Sequence, residues 1–169
     1  MHNTCPPSAF IHTVDGYVDA NGNAVGYHHV SGRNGRVVAV IDPPDTNGVY
    51  TAAVDIWDSA NGIWVSKTMA GSGGQRRVNS MFPSNWTSNQ ILDNINSAMA
   101  SSNRQLMRNV ETPRNWRGIG GVIRDWITRQ PIRGISYENI WRGRSHGGVV
   151  IEWIVRDGRM ITAYPIYGG

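Results

Sequence analysis

The 169-residue sequence has a single cysteine, Cys5, and no apolar run longer than a handful of residues. One cysteine excludes an internal disulfide and a zinc site built from several thiolates. A membrane span needs about 20 apolar residues, so we expect no membrane anchoring, and the start, Met1–Pro7, carries no apolar signal core. The length is typical of one soluble domain with a single sizeable core, and we therefore expect one domain over residues 1–169.

Lysine is almost absent, since Lys67 is the only lysine among the 16 Lys and Arg residues. An ammonium is a compact point charge whose pKa the protein can tune, whereas a guanidinium stays charged. A lone lysine in an arginine-rich chain is therefore a candidate functional residue. The formal net charge of +4 suits a polyanionic partner but is too low for a dedicated nucleic-acid coat.

The first half of the chain is rich in strand patterns. The run Arg36–Ile41 is apolar and ends before two prolines, which predicts a nearly fully buried strand. Tyr50–Trp57 and Ile63–Lys67 flank an Asn-Gly dipeptide, which is typical of a tight hairpin turn, and Lys67 then lies at the end of the second strand. The Gly-rich stretch Ala70–Arg77, with its paired arginines, predicts a mobile basic loop.

One helix is clearly predicted. Thr87 and Gln90 form a capping box, and apolar side chains then follow at helical spacing. This stripe consists of Ile91, Leu92, Ile95, Ala98 and Met99. Residues 104–140 show no sustained periodicity, and for them we expect mostly loop and short strand.

The C-terminal segments Val149–Val155 and Arg159–Pro165 predict a hairpin around the turn signal Asp157-Gly158. Without a bulge, this turn places Arg156 opposite Arg159. Stepping outward then pairs Val155 with Met160, Ile154 with Ile161, Trp153 with Thr162, Glu152 with Ala163 and Ile151 with Tyr164.

This register also predicts which side chains lie together. Because strand side chains alternate between the two faces, Met160, Thr162 and Tyr164 share one face. Thr162 and Tyr164 can therefore contact one ligand.

Histidine and lysine chemistry is the strongest functional signal in the residues themselves. The five histidines are His2, His12, His28, His29 and His146, and they lack the spacing and partners of a metal site. A metal-free use fits better, with one neutral histidine as general base and one protonated histidine as general acid. A lysine stabilises the charge that builds on the non-bridging phosphate oxygens. These groups suffice to cleave RNA through its own 2′-hydroxyl.

Four segments resemble the bacterial EndoU-type endoribonucleases in their order and spacing. They are His12-Thr13-Val14-Asp15-Gly16, Gly26-Tyr27-His28-His29, Ser80-Met81-Phe82-Pro83 with Trp86, and Thr162-Ala163-Tyr164-Pro165. The resemblance extends over about residues 9–103 and 141–166. Such domains are related to the eukaryotic EndoU enzymes and to the coronavirus uridylate-specific endoribonuclease. In bacteria they often form the C-terminal toxin of polymorphic secretion systems.

Carried over residue by residue, the resemblance implies that His12 and His28 are the two catalytic histidines. It implies that Lys67 is the catalytic lysine. Thr162 and Tyr164 match the Thr-x-Tyr pair that contacts the base and packs around the nucleotide. The resemblance implies no metal and no cofactor.

Three features leave parts of this assignment open. His29 is a further candidate for substrate binding, and it replaces His28 as the second catalytic histidine if the strand is offset by one residue. The gap from Lys67 to Ser80 is long for the family. Residues 104–140 are longer than the usual connector and are interpreted as a family-atypical insertion. Both departures are candidate determinants of substrate choice.

The resemblance implies an α+β fold of antiparallel sheets with one main helix and an active cleft between the two halves. The implied activity is metal-independent cleavage of single-stranded RNA at uridylates, leaving 2′,3′-cyclic phosphate and 5′-hydroxyl ends and sparing DNA. A toxin module of this kind has a cognate immunity protein as partner. It is secreted or delivered as part of a larger toxin and acts in the cytoplasm of the target cell.

Two other functions remain open from the residues alone. One is a metal-dependent His-finger nuclease built on the His28-His29 pair, although no clear ligand-bearing helix follows it. The other is a non-catalytic module that binds RNA or carbohydrate through tryptophan and arginine side chains.

Overall fold

The computed structural model describes residues 4–68, 75–113 and 135–169, which contain two helices and ten strands. The helices are α1 (Pro7–Asp15) and α2 (Ser88–Ala100). The strands are β1 (Tyr17–Val18), β2 (Ala24–Val25), β3 (Gly35–Asp42), β4 (Tyr50–Asp58), β5 (Ile63–Ser66), β6 (Asn79–Met81), β7 (Gln105–Pro113), β8 (Ile135–Arg144), β9 (Val150–Arg156) and β10 (Arg159–Pro165). Neither helix in the described ranges has the length and hydrophobicity that a membrane span requires.

The strands form three antiparallel sheets. β1 and β2 make a small ribbon, and β4 lies between β3 on one side and β5 and β6 on the other. The C-terminal sheet has the order β10-β9-β8-β7. The α+β architecture of antiparallel sheets is therefore confirmed, with α1 as a second helix that the sequence analysis did not predict.

The described residues form two apolar cores. The larger one packs α1 and α2 against the C-terminal sheet, and the smaller one lies under β4. Helix α2 begins as predicted, because Thr87 Oγ1 accepts from the Gln90 amide at 3.1 Å and Gln90 Oε1 accepts from the Thr87 amide at 2.7 Å. Four residues of its predicted stripe are fully buried, and Leu92 packs at the edge; the four are Ile91, Ile95, Ala98 and Met99.

The burial predicted for β3 is wrong, although the strand itself is present. Val38, Val40 and Ile41 are each more than half exposed. β3 is an edge strand with two irregularities in its pairing to β4, so this part of it leaves both of its faces in solvent. An apolar run indicates that a strand will form, but whether the strand is buried depends on what packs against it.

The expectation of loop and short strand for residues 104–140 is also wrong where the structure describes them. β7 and β8 pair along their lengths and extend the C-terminal sheet. Residues 105–109 are all exposed, so neither face selects apolar side chains and no alternation arises. Residues 114–134 lie outside the described part of the chain. The same holds for residues 69–74, on which most of the predicted basic loop falls.

Helix α1 carries a sequence signal at its first position and along its buried face. Pro7 occupies the first helical position, where a proline loses no hydrogen bond. Ala9, Thr13 and Val14 follow at helical spacing and are buried. His12 therefore lies on a helix.

The C-terminal hairpin is present, and its register is shifted by one residue beyond Met160. A bulge between Met160 and Thr162 places Thr162 opposite Ile154 and Tyr164 opposite Glu152. The predicted pairs beyond Met160 are therefore wrong, because a bulge leaves no mark in the turn sequence.

The bulge also changes which face Met160 occupies. Met160 and Ala163 are buried in the larger core, whereas Thr162 and Tyr164 are half-buried beside a common pocket. The prediction that Met160 shares a face with Thr162 and Tyr164 is wrong. Thr162 and Tyr164 themselves keep their common face.

Gly26 brings the loop that carries His28 against the end of α1. Its φ of 76° lies in the left-handed region, and a Cβ at this position would overlap the carbonyl oxygen of His12. That same oxygen accepts from the Gly16 amide at 3.2 Å. A side chain at position 26 would therefore separate the His28 loop from the helix.

Replacing Gly26 by alanine is expected to destabilise the protein far more than replacing Gly22 does. Both glycines have similar φ values, 76° and 81°, but a Cβ at Gly22 meets nothing within 4 Å. We expect losses of about 1 kcal/mol for Gly22→Ala and at least about 3 kcal/mol for Gly26→Ala. Urea unfolding measures both, and equal losses would show that the close approach is unimportant.

Candidate active site

A pocket of about 330 Å³ lies where α1 and the β1–β2 ribbon face the β9–β10 hairpin. We call it the central pocket. Its lining residues come from both halves of the chain and are His12, Tyr17, Asp19, Val25, Gly26, His28, Lys67, Arg77, Ile154, Arg156, Ile161, Thr162 and Tyr164. Five residues selected from the sequence, His12, His28, Lys67, Thr162 and Tyr164, therefore line one pocket.

His12 is the partly exposed histidine of the pocket. It projects from α1, and its ring lies against that of Tyr17, with a centroid distance of 4.2 Å and an interplanar angle of 31°. This contact restricts the orientation of the His12 ring while leaving it accessible to a substrate.

His28 is buried and held in one tautomer. Its Nδ1 donates to the Ser80 carbonyl oxygen at 2.7 Å, so that Nε2 is left as the proton-accepting nitrogen. Burial and the nearby Lys67 charge lower the pKa of His28 well below its ordinary value, and the hydrogen bond to Ser80 opposes them only in part. His28 is therefore neutral at neutral pH.

His29 lies outside the central pocket and has a structural role. Its Nε2 donates to the Pro83 carbonyl at 3.1 Å, while Nδ1 faces the Ser31 hydroxyl at 2.6 Å. Burial lowers the pKa of His29, and both ring nitrogens are occupied. His28 lines the central pocket, whereas His29 is not among its lining residues. The structure does not bring His29 to the substrate position predicted for it.

Lys67 is almost completely buried, with 3% of its surface exposed. Its Nζ donates to the Gly26 carbonyl at 2.9 Å and to Asn79 Oδ1 at 2.6 Å. Burial, with a smaller effect from the charge of Arg77, lowers the pKa of Lys67 from 10.5 to about 7. Near neutral pH Lys67 is therefore divided between its charged and neutral forms, and an anion nearby would favour the charged form.

Asn79 is a site residue that the sequence analysis missed. Besides accepting from Lys67, it donates through Nδ2 to the Tyr27 carbonyl at 2.7 Å. Asn79 thereby connects the lysine to the residue next to His28. Its place on β6, one residue before the recognised Ser80 segment, was the available signal.

Thr13 is a second missed residue and connects three parts of the site. Its carbonyl accepts from the His28 amide at 2.7 Å. Its hydroxyl oxygen accepts from the Ala163 amide at 3.0 Å and lies 3.4 Å from the hydroxyl of Thr162. The residue next to His12 therefore holds the His28 loop on one side and the β10 strand on the other.

Tyr164 is oriented by a buried carboxylate that the bulged register places opposite it. The Tyr164 hydroxyl donates to Glu152 Oε1 at 3.0 Å, and Glu152 is also paired with Arg142 on β8. Burial and the negative charge of Glu152 raise the pKa of Tyr164, so its hydroxyl stays protonated. The Tyr164 ring lies 5.7 Å from that of His28, centroid to centroid.

A second, smaller pocket of about 210 Å³ adjoins the central one. We call it the side pocket. It shares His28, Arg77 and Tyr164 with the central pocket, and its lining is His28, Thr51, Arg77, Val78, Asn79, Ser80, Tyr164, Pro165, Ile166 and Tyr167. Hydroxyl and amide groups together with apolar surface give it the character of a site for a planar polar group.

The chemistry of the central pocket is that of an acid–base site around an anion. A neutral buried histidine, an accessible histidine and a buried lysine converge on it. Among the described residues, no group of three or more His, Cys, Asp or Glu side chains lies together as metal ligands would. The arrangement is suited to moving a proton on each side of a charged phosphoryl group.

The comparisons with known proteins agree with the geometry. Residues 7–167 match the family described as bacterial EndoU nuclease, which is nearly the whole chain. A comparison with curated proteins finds no match, and neither does a comparison with solved structures. The resemblance seen in the four motif segments is thus confirmed over the length of the domain, and the chain belongs to the bacterial EndoU nucleases.

Proposed function

We propose that this nuclease is an endoribonuclease that cleaves RNA by attack of the substrate's own 2′-hydroxyl. The observation that carries the proposal is the convergence of His12, His28 and Lys67 on the central pocket. Two histidines in different protonation states are what a transesterification requires, because one proton must leave the nucleophile while another reaches the leaving group.

The geometry supports distinct roles for the two histidines. His28 is neutral with a free Nε2 and is suited to remove the 2′-hydroxyl proton. His12 is accessible and, in its protonated form, is suited to donate a proton to the departing 5′-oxygen. Lys67 stabilises the negative charge on the non-bridging oxygens as the phosphorane forms. The bond from phosphorus to the 5′-oxygen breaks, and a 2′,3′-cyclic phosphate and a 5′-hydroxyl remain.

In this proposal the β9–β10 hairpin and the side pocket select the base. Thr162 and Tyr164 flank the reacting groups, and Tyr164 is shared between the two pockets. The side pocket offers the Ser80 hydroxyl to the edge of a base, whereas the Thr51 hydroxyl donates to Asp42 Oδ2 at 2.7 Å. A pyrimidine at the cut, uridylate by resemblance to the family, is the proposed substrate.

The biological setting proposed for the domain is that of a delivered toxin with a cognate immunity protein. This proposal rests on the family alone. A domain that cuts RNA and acts in the cytoplasm of a target cell requires a specific inhibitor in the cell that makes it.

The His-finger alternative is disfavoured by the placement of the two adjacent histidines. The His28 and His29 rings bond to different carbonyls, those of Ser80 and Pro83. They therefore do not form a joint metal site. Cleavage in the presence of EDTA is the expected result, and complete loss restored by one added divalent cation would favour the alternative.

Alanine substitution of His12, His28 or Lys67 is expected to lower kcat/KM for RNA cleavage by about 100-fold or more, the scale of a lost acid, base or charge stabiliser. His146→Ala is the matched control, since His146 is exposed in the turn between β8 and β9. Circular dichroism and thermal melting check that each variant folds. Full activity of His28→Ala together with an inactive but folded His29→Gln would reverse the assignment.

The pH profile of kcat/KM is expected to be bell-shaped. Activity rises with pH below 6.5 as His28 loses its proton, and it falls above about pH 7 as Lys67 loses its charge. Asn79→Asp should move the alkaline limb to higher pH, because a carboxylate beside Nζ favours the charged lysine. Asn85→Asp adds the same charge in the exposed turn before α2 and should leave the limb unchanged. An unmoved limb in Asn79→Asp would exclude Lys67 as its origin.

The cleavage products test the nucleophile. A defined RNA should yield 2′,3′-cyclic phosphate and 5′-hydroxyl ends, and a 2′-deoxy residue placed only on the 5′ side of the cut should abolish that cut. Mass spectrometry of the fragments identifies the ends. Fragments with 5′-phosphates, or normal cleavage at the deoxy position, would contradict the 2′-hydroxyl mechanism.

A further inference from the structure

An exposed pair of tryptophans lies on the outer face of the β3–β6 sheet. Trp57 on β4 and Trp64 on β5 are direct cross-strand partners, each 40% exposed, with ring centroids 5.3 Å apart. The guanidinium carbon of Arg36 lies 4.2 Å from the Trp64 ring centroid. We call Arg36, Trp57 and Trp64 the tryptophan–arginine patch. Large aromatic side chains that the core does not need are unusual on a surface.

The patch lies on the same sheet face as one wall of the side pocket. Thr51 and Trp57 are six residues apart on β4, an even spacing that puts both on one face. Thr51 lines the side pocket. Six residues of strand correspond to roughly 20 Å, so the patch lies several nucleotides from the pocket along this face.

Arginines occupy the surface between the pocket and the patch. Asp55 lies between Thr51 and Trp57 on this face and is buried, paired with Arg36 at 3.1 Å and Arg76 at 2.8 Å. Asp42, opposite Thr51 on β3, accepts from the Thr51 hydroxyl at 2.7 Å and adds a second carboxylate to this face. The carboxylate of Asp55 is buried, whereas the side chains of Arg36 and Arg76 are 51% and 37% exposed, so guanidinium groups form the solvent-facing part of the Asp55 cluster. Arg77 follows Arg76 in the chain and lines both pockets. With Arg77 counted, three arginines face the two carboxylates between the side pocket and the exposed rings, a surplus of one positive charge.

We propose that the tryptophan–arginine patch is a second contact site for single-stranded RNA, where bases distant from the cut stack on Trp57 and Trp64. Surfaces that bind single strands combine cationic side chains along the backbone path with aromatic stacking platforms, and this sheet face has exposed guanidinium groups and exposed indole rings. The inference rests on the proposed function in taking RNA as the substrate. A protein partner is the competing occupant, and the row of arginines joining the patch to the side pocket favours RNA.

Binding to an uncleavable single strand tests the patch separately from catalysis. The probe is a fluorescent 2′-deoxy oligonucleotide of about 16 nucleotides, within the site sizes of single-strand-binding surfaces, compared with a dinucleotide of the same chemistry. Trp64→Ala should weaken binding of the long probe by about tenfold, as expected for one lost stacking platform, and leave dinucleotide binding unchanged. Fluorescence anisotropy gives both affinities.

Ile63→Ala is the matched control, because Ile63 precedes Trp64 on β5, is 53% exposed and points to the opposite face. Its affinity for the long probe should equal that of the wild type. Arg36→Gln changes a half-exposed side chain and should also weaken binding of the long probe several-fold. This variant provides the test if Trp64→Ala does not fold.

Wild-type affinity in both patch variants would overturn the inference. Unchanged probe binding would also overturn it if sedimentation showed that the wild type self-associates and the patch variants do not, because the patch would then be a protein interface. Because the probe lacks the 2′-hydroxyl, binding is measured without turnover. If the wild type does not cleave RNA but Trp64→Ala still weakens binding of the long probe, the proposed mechanism is refuted and the patch is supported.

Discussion

The burial of the Lys67 ammonium is the constraint on which the site depends. A charge removed from water needs strong acceptors, and this one has the Gly26 carbonyl and the Asn79 side chain. Gly26 can accept only because its lack of a Cβ lets the loop approach α1. Asn79 is held in turn by the Tyr27 carbonyl. The ammonium therefore fixes the loop that presents His28, so that one interaction positions both the lysine and a histidine.

The two halves of the cleft are joined by short contacts from Thr13 rather than by an apolar interface alone. Its carbonyl accepts from the His28 amide, and its hydroxyl accepts from the Ala163 amide in the middle of the Thr162–Tyr164 segment. A shift of the hairpin would therefore be transmitted to the helix that carries His12. This coupling explains how residues 150 positions apart in the chain can keep a fixed geometry.

Local patterns predicted the local structure, and long-range contacts set the rest. The capping box at Thr87 and the Asn-Gly and Asp-Gly turns fix their own neighbourhoods and were interpreted correctly. The bulge after Met160 and the exposure of β3 depend on which strands lie alongside, which a single segment does not encode. The candidate site shows the same contrast between local patterns and long-range contacts. His12, His28 and Lys67 carry recognisable chemistry, whereas Asn79 and Glu152 gain their roles only from side chains brought to them by the fold.

The burial of Lys67 and His28 lowers the stability of the protein when no anion is bound. The pKa of Lys67 falls from 10.5 to about 7 on folding, so between those values the unfolded chain holds a proton that the folded chain has released. The contribution of Lys67 to stability therefore falls as pH drops from 10.5 towards 7, and the lowered pKa of His28 extends the effect below 6.5. A phosphate entering the central pocket reverses the imbalance at Lys67, because a nearby negative charge favours the ammonium and raises its pKa. Under the proposed function, binding of a substrate phosphate is therefore linked to proton uptake by Lys67.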